Sequence, residues 1–489
     1  MRRGTQLAVL DSESQLIGQF WLQANDGSVG EKVTGILSLA SRELEVLGEI
    51  TPSIIWKKNP DGEGSVGIPN DDSGELLVHG NISGAGKPVT LVNSNTYGRT
   101  ISFPEIVDAA NTQHFRAEYA VEGAHLSGPS QLYSAATFGI EGLNEWAELQ
   151  EVKLKFTQDR KGMSLNYQTP ESETIDLGAA RGTLSLEAGW TLKPPTNYLN
   201  VLETPAQFRW SASEGFAKTM GQIRAEIITP IQTLLGVLFT QKRTVTHVRV
   251  LPESFGVWCE VHAPFVQSES TTSDARAPRP LLGRAAIGQD SVAKWIRDFR
   301  KMAPFPSMLI SSFTSPSALE TQTLEMALAA EGLHRRLYPE ARSLSVEEVT
   351  EALEFLDESA TQYVGVRTAR EALSNYLFEA SFPQRLQRLA EDIFEIAPAT
   401  TGKTNRWKHA VTDVRNSFAH ASFPTEHPED QYAGYVTLLR SLQWLIWLRV
   451  LLEAGVDASI LKNSLANNEA YHHFLRTAKV SLPKIFGDA

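Results

Sequence analysis

The chain has 489 residues, 42% hydrophobic and 21% charged, the make-up of an ordinary soluble globular protein, and at about 150 residues per domain it suggests two to four domains. A formal net charge of −12 argues against a protein that coats nucleic acid indiscriminately, because phosphate binding draws on Lys and Arg, but leaves room for a nuclease with a local basic site. The single cysteine, Cys259, excludes an intrachain disulfide framework and a Cys-based zinc site, and fits a reducing cytoplasm.

Met1-Arg2-Arg3-Gly4-Thr5 runs into mixed polar sequence without a long apolar core, so no secretory signal is expected. Residues 1 to 215 read as predominantly β, with short apolar or alternating runs at 19–22, 33–39, 76–82, 89–92, 115–121, 154–156 and 184–186. Turn-rich pieces such as Asn59-Pro60-Asp61-Gly62 and Ser83-Gly84-Ala85-Gly86 separate them, which suggests sheets or a sandwich. Residues 139–149 are expected to form a helix or turn carrying Trp146, and 220–240 a helix with a possible kink at Pro230; strands return at 245–251 and 257–262. Trp21, His79, Tyr97, Tyr119, Trp146, Trp190 and Trp210 are suited to stacking on bases or sugars, although aromatics in β-rich domains are more often core.

The stretch 268–280, rich in Ser, Thr, Pro and Arg, reads as a flexible loop, followed by a helix at 292–302 and a break at Pro304 to Pro306. From Ser317 the pattern is helical throughout, at 317–337, 346–357, 361–377, 383–395, 403–421, 430–454 and 468–478. Ser345-Val346-Glu347-Glu348 is a helix start with early acids. The most apolar stretch, 438–452, is broken by Arg440, Gln443 and Arg449 and is too short to span a bilayer, so it reads as a buried bundle helix with no membrane partner. No internal repeat, P-loop, GxSxG elbow or HExxH helix is apparent, and neither a metal nor a cofactor is assigned.

The most informative segment is Asp413-Val414-Arg415-Asn416-Ser417-Phe418-Ala419-His420. Trp407, Val411, Val414 and Phe418 recur at steps of four, three and four and form an apolar stripe, while His409, Asp413, Asn416 and His420 stack on the opposite side. Arg415 lies on the flank, its long side chain able to reach round towards His420. An arginine offers a permanent forked cation to a phosphate, and a histidine moves protons near neutral pH. Both are what RNA cleavage without a metal requires, with Asn416 one turn before His420 and able to orient the imidazole. His409 and Asp413 are candidates for a surrounding shell. Lys403, Arg406 and Lys408 form a local basic cluster that can steer an RNA backbone, or a merely solvated face. Glu331 borders the apolar face of the 317–337 helix and needs a partner; Arg415 or Arg335 can supply it, the former making Glu331 a positioner of the arginine and the latter a pair at the bundle rim.

Arg415, Asn416 and His420 resemble the R-N-x-x-x-H motif of HEPN-domain ribonucleases. The resemblance extends upstream, where Leu319-Glu320-Thr321 through Glu331-Gly332-Leu333-His334-Arg335-Arg336-Leu337-Tyr338 is similar to the first long helix of ApeA-like HEPN proteins and Ser381-Phe382-Pro383-Gln384-Arg385-Leu386 with Leu389 to the middle one. Residues 435–454 resemble the closing helix. In the N-terminal part, Val33-Thr34-Gly35-Ile36-Leu37, Val78-His79-Gly80, Val89-Thr90-Leu91 and Phe138-Gly139-Ile140 leading to Trp146 look like the domain that accompanies this HEPN type.

The resemblance implies a multidomain α+β chain: a β-rich ApeA-type domain over 1–300 that senses or positions, then an all-α HEPN bundle over 301–489. It implies a cytoplasmic, toxic endoribonuclease of anti-phage abortive infection that cleaves cellular RNA such as tRNA by 2′-OH attack, with Arg415, Asn416 and His420 catalytic. Two motifs would meet in a homodimer or higher even oligomer, with a phage-derived trigger. The alternatives are an inactive HEPN scaffold, or an RNA- or partner-binding module whose β-rich domain senses a ligand.

Overall fold

The structure is a computed structural model and describes residues 15–23, 29–51, 55–58, 64–67, 76–84, 86–100, 111–149, 152–156, 163–196, 199–267, 279–359, 362–420 and 431–487. The expectations at the extreme N-terminus, at Asn59 to Gly62 and at 268–278 lie outside the described residues. The chain divides into two compact units, one of residues 1–144, 149–229 and 244–276, the other of 145–148, 230–243 and 277–489.

The first unit is built of strands, several of which alternate buried and more open residues. They are β1 (Gln15–Leu22), β2 (Val33–Ser38), β3 (Glu43–Leu47), the small hairpin β4 (Ile55–Lys58) and β5 (Gly64–Gly67), β6 (Leu76–Ile82), β7 (Pro88–Thr100), β8 (Thr112–Arg116), β9 (Tyr119–Glu122) and β10 (Tyr133–Ile140). There follow the hairpins β11 (Val152–Phe156) with β12 (Met163–Tyr167) and β15 (Thr191–Thr196) with β16 (Leu199–Glu203). Between and after these come β13 (Glu173–Asp176), β14 (Thr183–Ala188), β17 (Ala206–Ser211), β18 (Val245–Pro252) and β19 (Cys259–His262).

Thirteen strands join one sheet in the order β13-β14-β17-β10-β18-β19-β9-β7-β6-β1-β2-β3-β8, and the extra pairing of β7 with β8 closes six of them into a barrel. The long strand β7 makes this possible: Val89 to Val92 pair with β9, and Asn95 to Thr100 turn away to pair with β8. Asn93, at φ 53°, lies between the two halves, in a left-handed conformation that Asn tolerates better than most residues.

Phe20, Leu37, Leu44, Val46, Val78, Val89, Leu91 and Phe115 fill the barrel. Phe20 faces Gly80 across β1 and β6, and a Cβ at Gly80 would lie 2.4 Å from its ring. The glycine of Val78-His79-Gly80 is therefore required by the ring opposite. Of the aromatics picked out above, Trp21, His79, Tyr119, Trp146 and Trp210 are buried. Only Tyr97 and Trp190 are exposed.

The run 115–121, expected as one strand, is two: β8 ends at Arg116 and β9 starts at Tyr119, with the Ala117 amide donating to Arg42 O at 3.0 Å. The helices in chain order are α1 (Leu143–Ala147), α2 (Met220–Ile223), α3 (Thr229–Phe239), α4 (Arg284–Ile287), α5 (Gln289–Met302), α6 (Phe305–Thr314), α7 (Leu319–Leu337), α8 (Val346–Glu358), α9 (Val364–Ala372), α10 (Phe382–Asp392), α11 (Thr404–Ala419), α12 (Tyr432–Glu453), α13 (Ala458–Ala466), α14 (Glu469–Ser481) and α15 (Pro483–Phe486). A π-helical turn at Arg224–Ile228 immediately precedes α3, where the sequence suggests a kink at Pro230.

In the second unit α7, α10, α11 and α12 pack on one another as a helical bundle. Helix α12 is its axis. It is the one described helix long and apolar enough to cross a membrane, and 83% of its most apolar window is buried inside the protein. Several of its buried polar groups have partners, as burial demands. Gln443 Nε2 donates to Ser312 Oγ at 3.0 Å, Ser441 Oγ to Thr400 O at 2.7 Å, and the Trp447 indole to Val237 O at 3.0 Å. Arg449 pairs with Asp392 at 3.2 Å and Glu453 at 2.9 Å.

Candidate active site

The two stripes of α11 fall where their periodicity puts them. Trp407, Val411, Val414 and Phe418 are buried, and Phe418 meets the Tyr435 ring edge-on at 5.2 Å between centroids. His409, Asp413, Asn416 and His420 are exposed on the other side. The start of α11 is tied to the C-terminal segment, with the Lys403 amide donating to Ile485 O at 3.0 Å and Arg406 Nη1 to Lys484 O at 3.0 Å. Lys408 donates to Gln387 Oε1 on α10. Of the three basic candidates, Lys403 alone has a side chain without a hydrogen bond among the described residues.

His420 is the residue that ends the helix. Its amide donates to Asn416 O at 3.0 Å, and its ring makes no hydrogen bond among the described residues. Arg415 is half-buried on the flank. Its Nη1 donates to Asn416 Oδ1 at 3.1 Å, and its guanidinium carbon lies 5.6 Å from the centre of the Phe382 ring on α10. Asn416 Oδ1 is thus engaged by the arginine, and no hydrogen bond joins its side chain to the His420 ring among the described residues.

No carboxylate pairs with Arg415 among the described residues, unlike other arginines of the bundle. Arg335 contacts Glu331 at 3.2 Å and Glu379 at 2.6 Å, Arg385 contacts Glu379 at 3.0 Å, and Arg370 contacts Asp357. Of the two partners open to Glu331, the structure takes Arg335. Asp413 and His409 are exposed, without an ion pair among the described residues.

Behind this rim His334 is buried, and Arg385 Nη1 contacts its Nδ1 at 3.3 Å. Burial, with Arg385, Arg388 and Arg335 nearby, pushes its pKa down to about 4. Sequence reasoning passed over both His334 and Phe382 as functional candidates. The only signal for Phe382 is that an aromatic opens α10 beside the motif helix.

In the first unit Glu122, Glu260 and His262 bring one ligand atom each to within 4.8 Å of one another, a possible cation-binding group. Glu122 already holds Lys87 at 2.7 Å and His262 at 3.3 Å, and Arg249 faces Glu260 across the strand pair. Lys87 thus offsets the charge of Glu122, while Arg249 stands opposite Glu260 only by strand register.

A β-barrel unit together with a helical bundle whose helix α11 carries R-N-x-x-x-H is the make-up of a two-part protein of the HEPN kind. Residues 15–211 match the family model for ApeA N-terminal domain 1, and residues 324–460 that for the Apea-like HEPN domain. The chain is an ApeA-like HEPN protein with an ApeA N-terminal domain. That type points to a family of anti-phage HEPN nucleases, and HEPN domains are generally ribonucleases that typically dimerise and act on RNA. No curated protein and no solved structure matches the chain.

Proposed function

We propose that the chain is a metal-independent endoribonuclease of bacterial anti-phage defence, cleaving cellular RNA of the tRNA class. The observation that carries this reading is that one helix holds, five residues apart, an arginine without a carboxylate partner and an imidazole without a hydrogen bond among the described residues. Arg415 supplies charge-assisted hydrogen bonds to the non-bridging oxygens of the scissile phosphate. His420 takes the proton of the 2′-OH, the freed oxygen attacks phosphorus, the bond to the 5′-oxygen breaks, and that oxygen is protonated as it leaves. The products are a 2′,3′-cyclic phosphate and a 5′-hydroxyl.

Two proton transfers call for a base and an acid, and one chain brings one His420. His409 lies eleven residues back along α11, about 16 Å at 1.5 Å per residue, too far to share the same phosphate. A second copy presenting its own His420 completes the pair, so the active form is a homodimer or a higher even oligomer. The N-terminal unit senses the phage-derived trigger or positions the RNA, and the work is done in the cytoplasm.

The test uses the full chain, purified, with bulk tRNA in EDTA. Cleavage leaving 2′,3′-cyclic ends, abolished by His420→Ala with the unfolding midpoint unchanged, is expected. Full activity in His420→Ala would remove the catalytic assignment. Tight RNA binding without cutting would favour a scaffold instead.

A further inference from the structure

Resting on that nuclease reading, we propose that Phe382 is a positioning residue that presets the Arg415 guanidinium for phosphate. Three observations meet here. Arg415 keeps its charge uncompensated among the described residues, and one of its N–H groups is taken up by Asn416 Oδ1 at 3.1 Å. The Phe382 ring lies within cation–π range at 5.6 Å and is half-buried, so it has a settled place of its own.

The start of α10, which carries the ring, is anchored. The Ser381 amide donates to Gln384 Oε1 at 2.7 Å, Pro383 occupies the first turn, and buried Arg385 contacts Glu379 at 3.0 Å and His334 at 3.3 Å.

The choice of a ring has a chemical logic. A carboxylate would hold the arginine as firmly but neutralise it, and RNA would have to displace that carboxylate. An aromatic face attracts the cation through its quadrupole and leaves the in-plane N–H groups free. Asn416 fixes one edge of the fork and Phe382 its face. The remaining donors form a pre-oriented clamp, and rotamer freedom that would otherwise be lost on binding RNA is already restricted.

The proposal is tested with the full chain on bulk tRNA in EDTA. The variants are Phe382→Leu, which keeps an apolar side chain but not the π-face, and Phe382→Tyr, which keeps both, each alone and combined with Arg415→Lys. Phe382→Leu is expected to lower kcat/KM by about three- to thirtyfold, the range of a cation–π contact. The unfolding midpoint should not move, Phe382→Tyr should restore most of the rate, and Phe382→Leu should add little once Arg415→Lys is present.

Wild-type rates in Phe382→Leu would overturn the proposal and leave the nuclease reading standing. So would equal losses in Leu and Tyr, or an undiminished loss on the Arg415→Lys background. A wild-type chain that leaves tRNA uncut would remove the nuclease reading and this proposal with it. Should Leu disturb α10, Phe382→Met, unbranched and adaptable, carries the same comparison.

Discussion

Glu331 is held by Arg335, four residues further along the same helix, at 3.2 Å, and Arg335 in turn contacts Glu379 at 2.6 Å. The carboxylate therefore serves the rim of the bundle, where α7 meets the segment leading into α10. Such partly open pairs contribute about 0–1 kcal/mol each. Glu331→Gln is thus expected to leave RNA cleavage close to wild type and to lower stability by no more than about 1 kcal/mol. Parallel cleavage and urea-unfolding curves check this. A loss of activity comparable to that of Arg415 variants would mean that Glu331 acts on the clamp after all.

How far the sequence could be read depends on the range of the interaction concerned. The faces of α11 were legible because Trp407, Val411, Val414 and Phe418 repeat with helical period, and local periodicity survives folding. The succession of a β-rich part and a helical part was legible for the same reason. The break between β8 and β9 was not, because the chain turns at Ala117 without Gly or Pro and the amide is satisfied by Arg42, far away in sequence. Barrel closure depends on β7 reaching β8 through Asn95 to Thr100, a pairing with no local signature. A break is expected at Pro304 to Pro306, yet α6 opens there, because a proline in the first turn costs no hydrogen bond. At the site, Arg415, Asn416 and His420 were marked by their spacing. The Phe382 ring beneath Arg415 comes from another helix and is a tertiary fact.

Phe418 tests the assignment of faces. It is 9% exposed and packs edge-on against Tyr435, between the helix that carries the motif and the axis of the bundle. Truncation to alanine removes the ring and leaves a cavity, at a cost of about 3–5 kcal/mol. Phe418→Ala should therefore unfold at markedly lower urea, whereas His420→Ala, two residues away on the open side, should match the wild type. Equal stability of Phe418→Ala and the wild type would reverse the faces.

The buried His334 gives the bundle a pH dependence whose sign follows from its surroundings. Burial comes first and the cations Arg385, Arg388 and Arg335 next in pushing its pKa from 6.5 down to about 4. The unfolded chain takes up this proton near pH 6.5 and the folded chain only near pH 4, so between those values the unfolded state binds more protons. Stability from this group is fully present above pH 6.5 and is lost as pH falls towards 4. At about 1.4 kcal/mol per pH unit the loss is on the order of 3 kcal/mol. His334→Gln keeps an acceptor for Arg385 without the titration. The gap between wild type and His334→Gln should shrink by that order between pH 7 and pH 4 in urea unfolding. A gap independent of pH would show that His334 titrates alike in both states.

Arg415→Lys separates charge from geometry. Lysine keeps the positive charge but is a point cation, without the planar fork that grips two phosphate oxygens at once. It also gives up the delocalised plane that lies over Phe382 and the N–H now held by Asn416 Oδ1 at 3.1 Å. Electrostatic attraction to RNA depends mainly on charge, so affinity for tRNA should fall little. Charge developing on the phosphate in the transition state depends on aligned donors, and losing one such donor costs about 10²–10³ in rate elsewhere. Arg415→Lys is therefore expected to bind bulk tRNA nearly as the wild type does while cutting it at least about a hundredfold more slowly. Gel-shift and single-turnover cleavage on the same RNA measure the two quantities. DNA of the same sequence, lacking the 2′-OH, should remain intact with either protein. Equal losses in binding and cutting would show that Arg415 holds RNA without favouring the transition state, and cutting of DNA would end the 2′-OH mechanism.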